Sequence, residues 1–171
     1  FGDGAGAVII SKTKEEKGIL SSHLHSEGKH AKELWLETPS SKLNPRISSK
    51  LIDRGSHFLK MNGKEVFKNA VKRFPEVILE ALNHNNYKIS DIDLLIPHQV
   101  NLRITQMIQK KLKLDDSQVY SNIHKFGNTT AASVPIALAE AIEKKLIHNN
   151  DLVILAAFGS GFAWGSTLIK W

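Results

Sequence analysis

The sequence predicts an α/β protein in which helices layer a mixed β-sheet. Three observations predict it. Buried apolar runs at 93–96 and 151–158 read as core strands. Segments of helical period separate them, so strand and helix alternate. The last two strands lie close enough to pair as a hairpin across Gly159-Ser160-Gly161, which makes the sheet mixed. A length of 171 residues suits one domain, or one large half of a bigger one, and a hydrophobic fraction of 42% suffices for a packed core.

Taken in order, Gly4 to Ile10 reads as a strand entered from a glycine turn. Gly18 to His25 reads as a second strand, and Leu34-Trp35-Leu36 as a short third. Thr38 to Lys60 is polar, carries Pro39, Pro45 and Gly55, shows no clean period and reads as a long surface excursion. Asn62 followed by Glu65 is a helix-start capping pattern. Val66, Ala70, Val71, Phe74, Val77, Ile78, Ala81 and Leu82 then recur at helical spacing, with Pro75 predicting a kink or a split. Asn101 to Leu112 predicts an amphipathic helix with Ile104, Met107, Ile108 and Leu112 on one face. Val119-Tyr120 predicts a short strand. Thr129 to Leu146 predicts a helix, buried over its Ala-rich first half and bent at Pro135. Asp151 to Phe158 is a buried strand, and Phe162 to Trp171 the last one.

Composition narrows the chemistry. There is no cysteine, so disulfides, thiolate metal sites and a thiol nucleophile are excluded within these residues. A net charge of +6 favours acidic partners, although a solvated lysine-rich surface is the ordinary meaning of such a value. No apolar run is long enough to cross a bilayer. No targeting segment opens the chain; it begins Phe1-Gly2-Asp3-Gly4, which reads as a domain cut from a longer parent. Gly2-Asp3-Gly4-Ala5-Gly6 is not a dinucleotide fingerprint: its spacing differs, and a strand rather than a helix is expected next. Nucleic acid is disfavoured, because no aromatic residues interleave the basic ones. His23 and His25 lack an obvious carboxylate partner and read as surface histidines, so no metal site is expected.

The chemistry concentrates in two loops. His98 follows a buried strand and Pro97, at the strand end where α/β proteins gather ligands. Asn128 lies between Gly127 and a helix start; alone, that is ordinary cap chemistry. Together they offer two neutral hydrogen-bond donors able to converge on one carbonyl oxygen, as carbanion chemistry beside a thioester requires. Gly159-Ser160-Gly161 is either a tight strand connection or a backbone oxyanion donor. Arg103, Gln106 and Lys110 share a helix face with Lys111 beside them. That face is either simply solvated or a dock for an acidic carrier or a cofactor phosphate.

These residues resemble the carboxyl-terminal half of the β-ketoacyl-acyl-carrier-protein synthase III family, thiolase-fold condensing enzymes. The resemblance spans nearly the whole chain in five ordered motifs: residues 1–7 (FGDGAGA), 61–67 (MNGKEVF), 97–104 (PHQVNLRI), 127–133 (GNTTAAS) and 158–165 (FGSGFAWG). It implies that residues 1–171 form the C-terminal condensing-enzyme domain, with the amino-terminal half bearing the nucleophilic cysteine absent. His98 and Asn128 then match the family's enolate-stabilising pair. Phe158 matches a phenylalanine that favours decarboxylation, and the Ser160 N–H joins the oxyanion hole. Gly63 and Asn101 fall in the pantetheine tunnel, and Arg103, Lys110 and Lys111 in the carrier-docking helix. The implied substrates are acyl-CoA and malonyl-acyl-carrier protein, with no permanently bound cofactor and no metal. The implied partners are acyl carrier protein, the missing half and, in the full-length enzyme, a second copy, in the cytoplasm and away from membranes. The fragment alone is expected to be inactive and to expose an apolar face where its other half packs. A secondary-metabolism acyltransferase of the same fold and a non-catalytic carrier-binding module are the alternatives.

Overall fold

The computed structural model describes residues 1–171. Its centre is a four-stranded sheet in the order β1-β6-β5-β4, built from β1 (Gly18–Ser26), β4 (Leu94–Pro97), β5 (Leu152–Gly159) and β6 (Ala163–Lys170). β4 runs parallel to β5, whereas β6 is antiparallel to both of its neighbours. A separate two-stranded ribbon pairs β2 (Leu34–Trp35) with β3 (Lys60–Met61).

The period-2 alternation of β5 divides the core. Leu152, Ile154, Ala156 and Phe158 face one side, where they join Phe74 and Ile78 of α2 (Gly63–His84) and Ile104 and Ile108 of α3 (Leu102–Leu112). Val153 faces the other side, packing with Leu94, Ile96 and with Ala137, Leu138 and Ala141 of α5 (Ser133–Glu143). Helices therefore cover both faces of β4 and β5, as buried parallel strands require.

Asn62 caps α2 as the sequence predicts, its side chain accepting from Glu65 N at 3.4 Å. Asn101 caps α3 through Arg103 N at 2.9 Å. Pro75, in contrast, does not split α2, which runs unbroken from Gly63 to His84. A proline has no N–H to donate to the carbonyl four residues earlier. That carbonyl, Val71 O, instead accepts the Lys111 ammonium of α3 at 3.1 Å. A side chain from the neighbouring helix fills the gap in the ladder.

Six other expectations need correction. Gly4 to Ile10 forms no strand: no strand of this chain reaches it, and Val8, Ile9 and Ile10 are exposed. Val119 makes only an isolated parallel bridge to Leu95, in which Tyr120 N donates to Leu95 O at 2.9 Å. The 38–60 excursion contains a short helix, α1 (Ser49–Asp53), before β3 begins. The helix expected from Thr129 begins at Ser133, after a single 3-10 turn over Thr130–Ala132. Pro135 therefore lies in its first turn, where no intrahelical N–H is needed, and bends nothing. Nor is the Ala-rich half buried all round, since Ala131 and Ala139 are exposed.

Candidate functional site

A cavity of 680 Å³ opens where β4 and β5 end. Its walls include His98, Asn128, Phe158, Ser160, Val100 and Ala131. The structure thus brings together all four residues singled out for catalysis. Gly63 and Asn101 are not on this wall: Gly63 opens α2, and Asn101 is spent as the α3 cap. The rest of the lining is mostly apolar, through Leu34, Leu59, Met61, Val66, Ala70 and Ile104.

His98 is placed by main chain first: its N–H donates to Ala156 O at 2.7 Å, extending the β4–β5 ladder by one residue. Its ring is then held by Ser133 Oγ, 2.5 Å from Nδ1. The other ring nitrogen has no protein partner. Burial holds the imidazole pKa below its ordinary 6.5, so the ring is neutral at pH 7. Gln99 clamps this loop to the segment before α4 (Ile123–Phe126). Fully buried, it donates to Pro97 O at 2.7 Å and accepts from Ser121 Oγ at 2.8 Å and Asn122 N at 3.1 Å. Sequence reasoning missed both Gln99 and Ser133.

Asn128 projects from a sharply turned loop. Gly127 has φ +64° and ψ −155°, a conformation that only glycine adopts without strain. Asn128 Oδ1 accepts from Thr130 N at 2.9 Å, which fixes the carboxamide with its NH2 as the free end. Its main-chain oxygen accepts from Gly2 N at 2.8 Å. The amino-terminal glycines find their purpose here. A Cβ at Gly2 would lie 2.3 Å from Phe126 O, and one at Gly6 2.4 Å from Pro135 Cγ. They let the first segment lie flat on the loop that carries Asn128. Glu140 braces the same loop from below, accepting from Lys125, from Asn122 Nδ2 at 2.8 Å and from Lys144 at 3.1 Å. These partners, Lys125 foremost and then Asn122, pull its carboxyl down to about 2.

Phe158 is buried at the end of β5, its ring 5.1 Å from Phe162 and 6.3 Å from Trp164. Arg73 covers Trp164 at 4.7 Å and reaches Glu27 and Glu76, each at 2.8 Å, so the aromatic stack is fixed from behind. The Ser160 hydroxyl donates to Leu34 O at 2.6 Å, which commits it to tethering the β2–β3 ribbon.

On α3, Arg103 and Lys110 are exposed and unpaired, whereas Lys111 is engaged on Val71 O. Beside them α2 exposes Lys64, Lys68 and Lys72 at four-residue spacing, a row that sequence reasoning did not single out. His23 and His25 are also corrected. Both meet Glu80 of α2, at 3.3 and 2.6 Å, a partner 55 or more residues away in sequence and so invisible locally. No group of three or more His, Asp or Glu side chains is placed to hold a metal ion, and no helix is long and apolar enough to cross a membrane.

The mixed sheet, the helices on both of its faces and the strand-end cavity define a thiolase-like fold. Residues 82–171 match the family model for the C-terminal part of 3-oxoacyl-[acyl-carrier-protein] synthase III, and residues 1–28 match the companion model of the same enzyme. The chain belongs to the 3-oxoacyl-[acyl-carrier-protein] synthase III family. It is 45% identical to the β-ketoacyl-[acyl-carrier-protein] synthase III of Clostridium tetani over 100% of this chain and 52% of that protein. With the counterpart from Clostridioides difficile it shares 44% over 100% of this chain and 51% of that protein. The crystal structure of the Thermus thermophilus synthase III superposes with a TM-score of 0.83 at 36% identity, covering 95% of this chain and 49% of that one. The chain thus spans about half the length of the relatives it matches.

Proposed function

We propose that this chain supplies the enolate-stabilising half of a synthase III that condenses an acyl-CoA primer with malonyl-acyl-carrier protein to begin fatty acid synthesis. The observation that carries the reading is the pairing of a neutral imidazole and an oriented carboxamide on the wall of one apolar cavity. In this reading the cysteine nucleophile lies outside these 171 residues and receives the acyl group from acyl-CoA. The malonyl thioester then enters with its carbonyl oxygen between His98 and Asn128. Its carboxylate departs as CO2, and the electron pair of the broken C–C bond moves into the thioester to form an enolate. The two N–H groups meet the charge as it develops, each contributing about 3 kcal/mol of barrier lowering. The enolate carbon attacks the acyl-cysteine carbonyl, the new C–C bond forms, and the thiolate leaves.

Phe158 presents an apolar ring to the departing carboxylate, which favours its loss as neutral CO2, and the Ser160 N–H serves the acyl oxyanion. Arg103 and Lys110 receive the acidic carrier protein, with the α2 lysine row extending their field. Gly63 and Asn101 border the pantetheine path outside the cavity wall. The complete enzyme is a cytoplasmic homodimer in this reading, with no resident cofactor.

The test separates the two half-reactions in the full-length protein. His98→Ala is expected to abolish malonyl decarboxylation while cysteine acylation by acyl-CoA stays within about threefold, since the donor acts only on the enolate. Equal loss of both, or retained decarboxylation, refutes the roles.

A further inference from the structure

We propose that Ser133 is a positioning residue that fixes the tautomer of His98, keeping the proton on Nε2, the nitrogen that faces the cavity. The inference rests on the reading of His98 as an enolate donor and adds to it the group that makes the ring a donor at all.

A neutral imidazole carries one proton, on either nitrogen, and the partner of the other nitrogen decides which. A ring protonated on Nδ1 would aim the Nε2 lone pair at a developing oxyanion and repel it. Ser133 Oγ lies 2.5 Å from Nδ1 and is itself buried. Its only other contact is Gln99 N, which donates to it at 3.2 Å. One neighbour of the hydroxyl is therefore a fixed donor. The hydroxyl's own hydrogen has a single acceptor within reach, Nδ1. Had Nδ1 carried the proton, it would also point at Oγ, and the serine hydrogen would be buried with nowhere to go. That penalty biases the equilibrium toward Nε2–H by about tenfold or more.

The usual escape for a serine early in a helix is the carbonyl four residues back. Here that group is Thr129 O, which already receives Ala132 N at 3.2 Å and Thr130 Oγ1 at 2.7 Å. Position adds a second consequence. Ser133 is the first residue of α5, five residues after Asn128. The loop that presents one donor thus also sets the protonation pattern of the other, although the two donors come from different parts of the chain. Gln99 closes the circuit from the histidine side, since its N–H holds the serine oxygen and its side chain holds the loop.

The experiment uses the full-length protein labelled with 15N-histidine, the His98 resonances being identified by their loss in His98→Ala. In the parent protein, Nε2 is expected to show a protonated shift and Nδ1 that of a hydrogen-bonded acceptor. In Ser133→Ala, the Nδ1 resonance should move and Nε2 should lose its fully protonated character. The kcat for malonyl-carrier decarboxylation should fall about tenfold to a hundredfold with KM within about twofold, less than removal of a whole donor. Ser133→Thr, which restores a hydroxyl, should recover both readouts. If the alanine variant does not fold, Ser133→Cys carries the same comparison with a weaker donor. Unchanged His98 resonances in the alanine variant, or a Nδ1–H ring in the parent, overturn the proposal. If instead the resonances shift as expected while decarboxylation survives in His98→Ala, the donor reading itself has failed, and the role of Ser133 in catalysis fails with it.

Discussion

A double-mutant cycle between Pro75 and Lys111 tests the unexpected continuity of α2 and separates a structural lysine from a docking one. Lys111 Nζ sits 3.1 Å from Val71 O, the carbonyl that proline leaves without its helical donor. A hydrogen bond from a charged group is worth about 1.5–3 kcal/mol. Lys111 is an exposed residue overall, which places the expected cost of Lys111→Met just below that range, at about 1–1.5 kcal/mol; methionine keeps the apolar stem, so little packing is lost with the charge. In a Pro75→Ala background the amide at position 75 can serve Val71 O. The same Lys111→Met change should then cost under about 0.5 kcal/mol, leaving a coupling of about 1 kcal/mol, above the usual additivity error of about 0.3–0.5 kcal/mol. The effect of Pro75→Ala itself mixes restored helix bonding with a lost buried ring, and the cycle cancels it. Urea midpoints of the four full-length proteins give the coupling. Carrier titration supplies the functional arm: Arg103→Glu and Lys110→Glu should each raise KM for malonyl-carrier about tenfold, whereas Lys111→Met should change it less than threefold. Equal costs of Lys111→Met in both backgrounds, or a carrier defect matching that of Lys110→Glu, would refute the assignment.

Asn128 offers a pair of substitutions whose effects run in opposite orders. Asn128→Asp keeps the acceptor for Thr130 N but replaces the free NH2 by a carboxylate, whereas Asn128→Ala loses both. Urea midpoints should therefore rank Asp above Ala. Decarboxylation kcat should rank Ala above Asp, with Ala down about 10²–10³-fold and Asp lower still through repulsion of the enolate; an Asp variant more active than Ala would count against the donor role. The pH dependence of stability gives another expectation. His98 in the folded state has its pKa lowered from 6.5 by burial, so the folded protein binds fewer protons than the unfolded chain just below that value. The contribution from the neutral ring is complete above the unfolded pKa and is lost as pH falls from about 6.5 toward the lowered folded value. The stability gap between parent and His98→Gln should therefore be flat from pH 7.5 to 9 and narrow below 6.5, which urea midpoints across pH would register. The Glu140 carboxyl, at about 2 instead of 4.5, acts in a separate and more acidic window.

What the sequence made legible follows the range of the interaction that decides each feature. The α2 pattern was readable because Val66, Ala70, Phe74 and Ile78 repeat within the helix, and its start because Asn62 and Glu65 are three residues apart. Its continuity was not, because the group that repairs the proline gap comes from Lys111, 40 residues on. Gly4 to Ile10 carries strand composition, yet a strand is a property of two segments, and no other segment of this chain pairs with it. The apolar side chains at Val8, Ile9 and Ile10, with Ile142 and Leu146 of the α5 region, are left facing solvent. At the site, His98 and Asn128 stood out by residue type and loop position. Ser133 and Gln99 did not, because a serine at a helix start and a glutamine in a loop have ordinary local explanations. Only the fold shows that one hydroxyl is spent 35 residues away on a histidine ring.

The way the donors are held bears on where catalytic power would appear in kinetics. His98 is tied to Ala156 and Ser133, and Asn128 to Thr130 and Gly2, all by groups of this chain. On the proposed reading, the orientation cost is met during folding, and the two N–H groups need not reorganise when an enolate forms, which is what gives fixed dipoles their advantage over water. Because the thioester oxygen carries little charge before CO2 leaves, the same groups bind the ground state weakly. Substitutions in the supporting set of Ser133 and Gln99 should then lower kcat and kcat/KM together while leaving KM nearly unchanged, the signature of interactions realised in the transition state. Changes along the apolar cavity wall, at Leu34, Met61 or Ile104, would on that reading touch the part of the thioester that does not change charge. They should move KM instead.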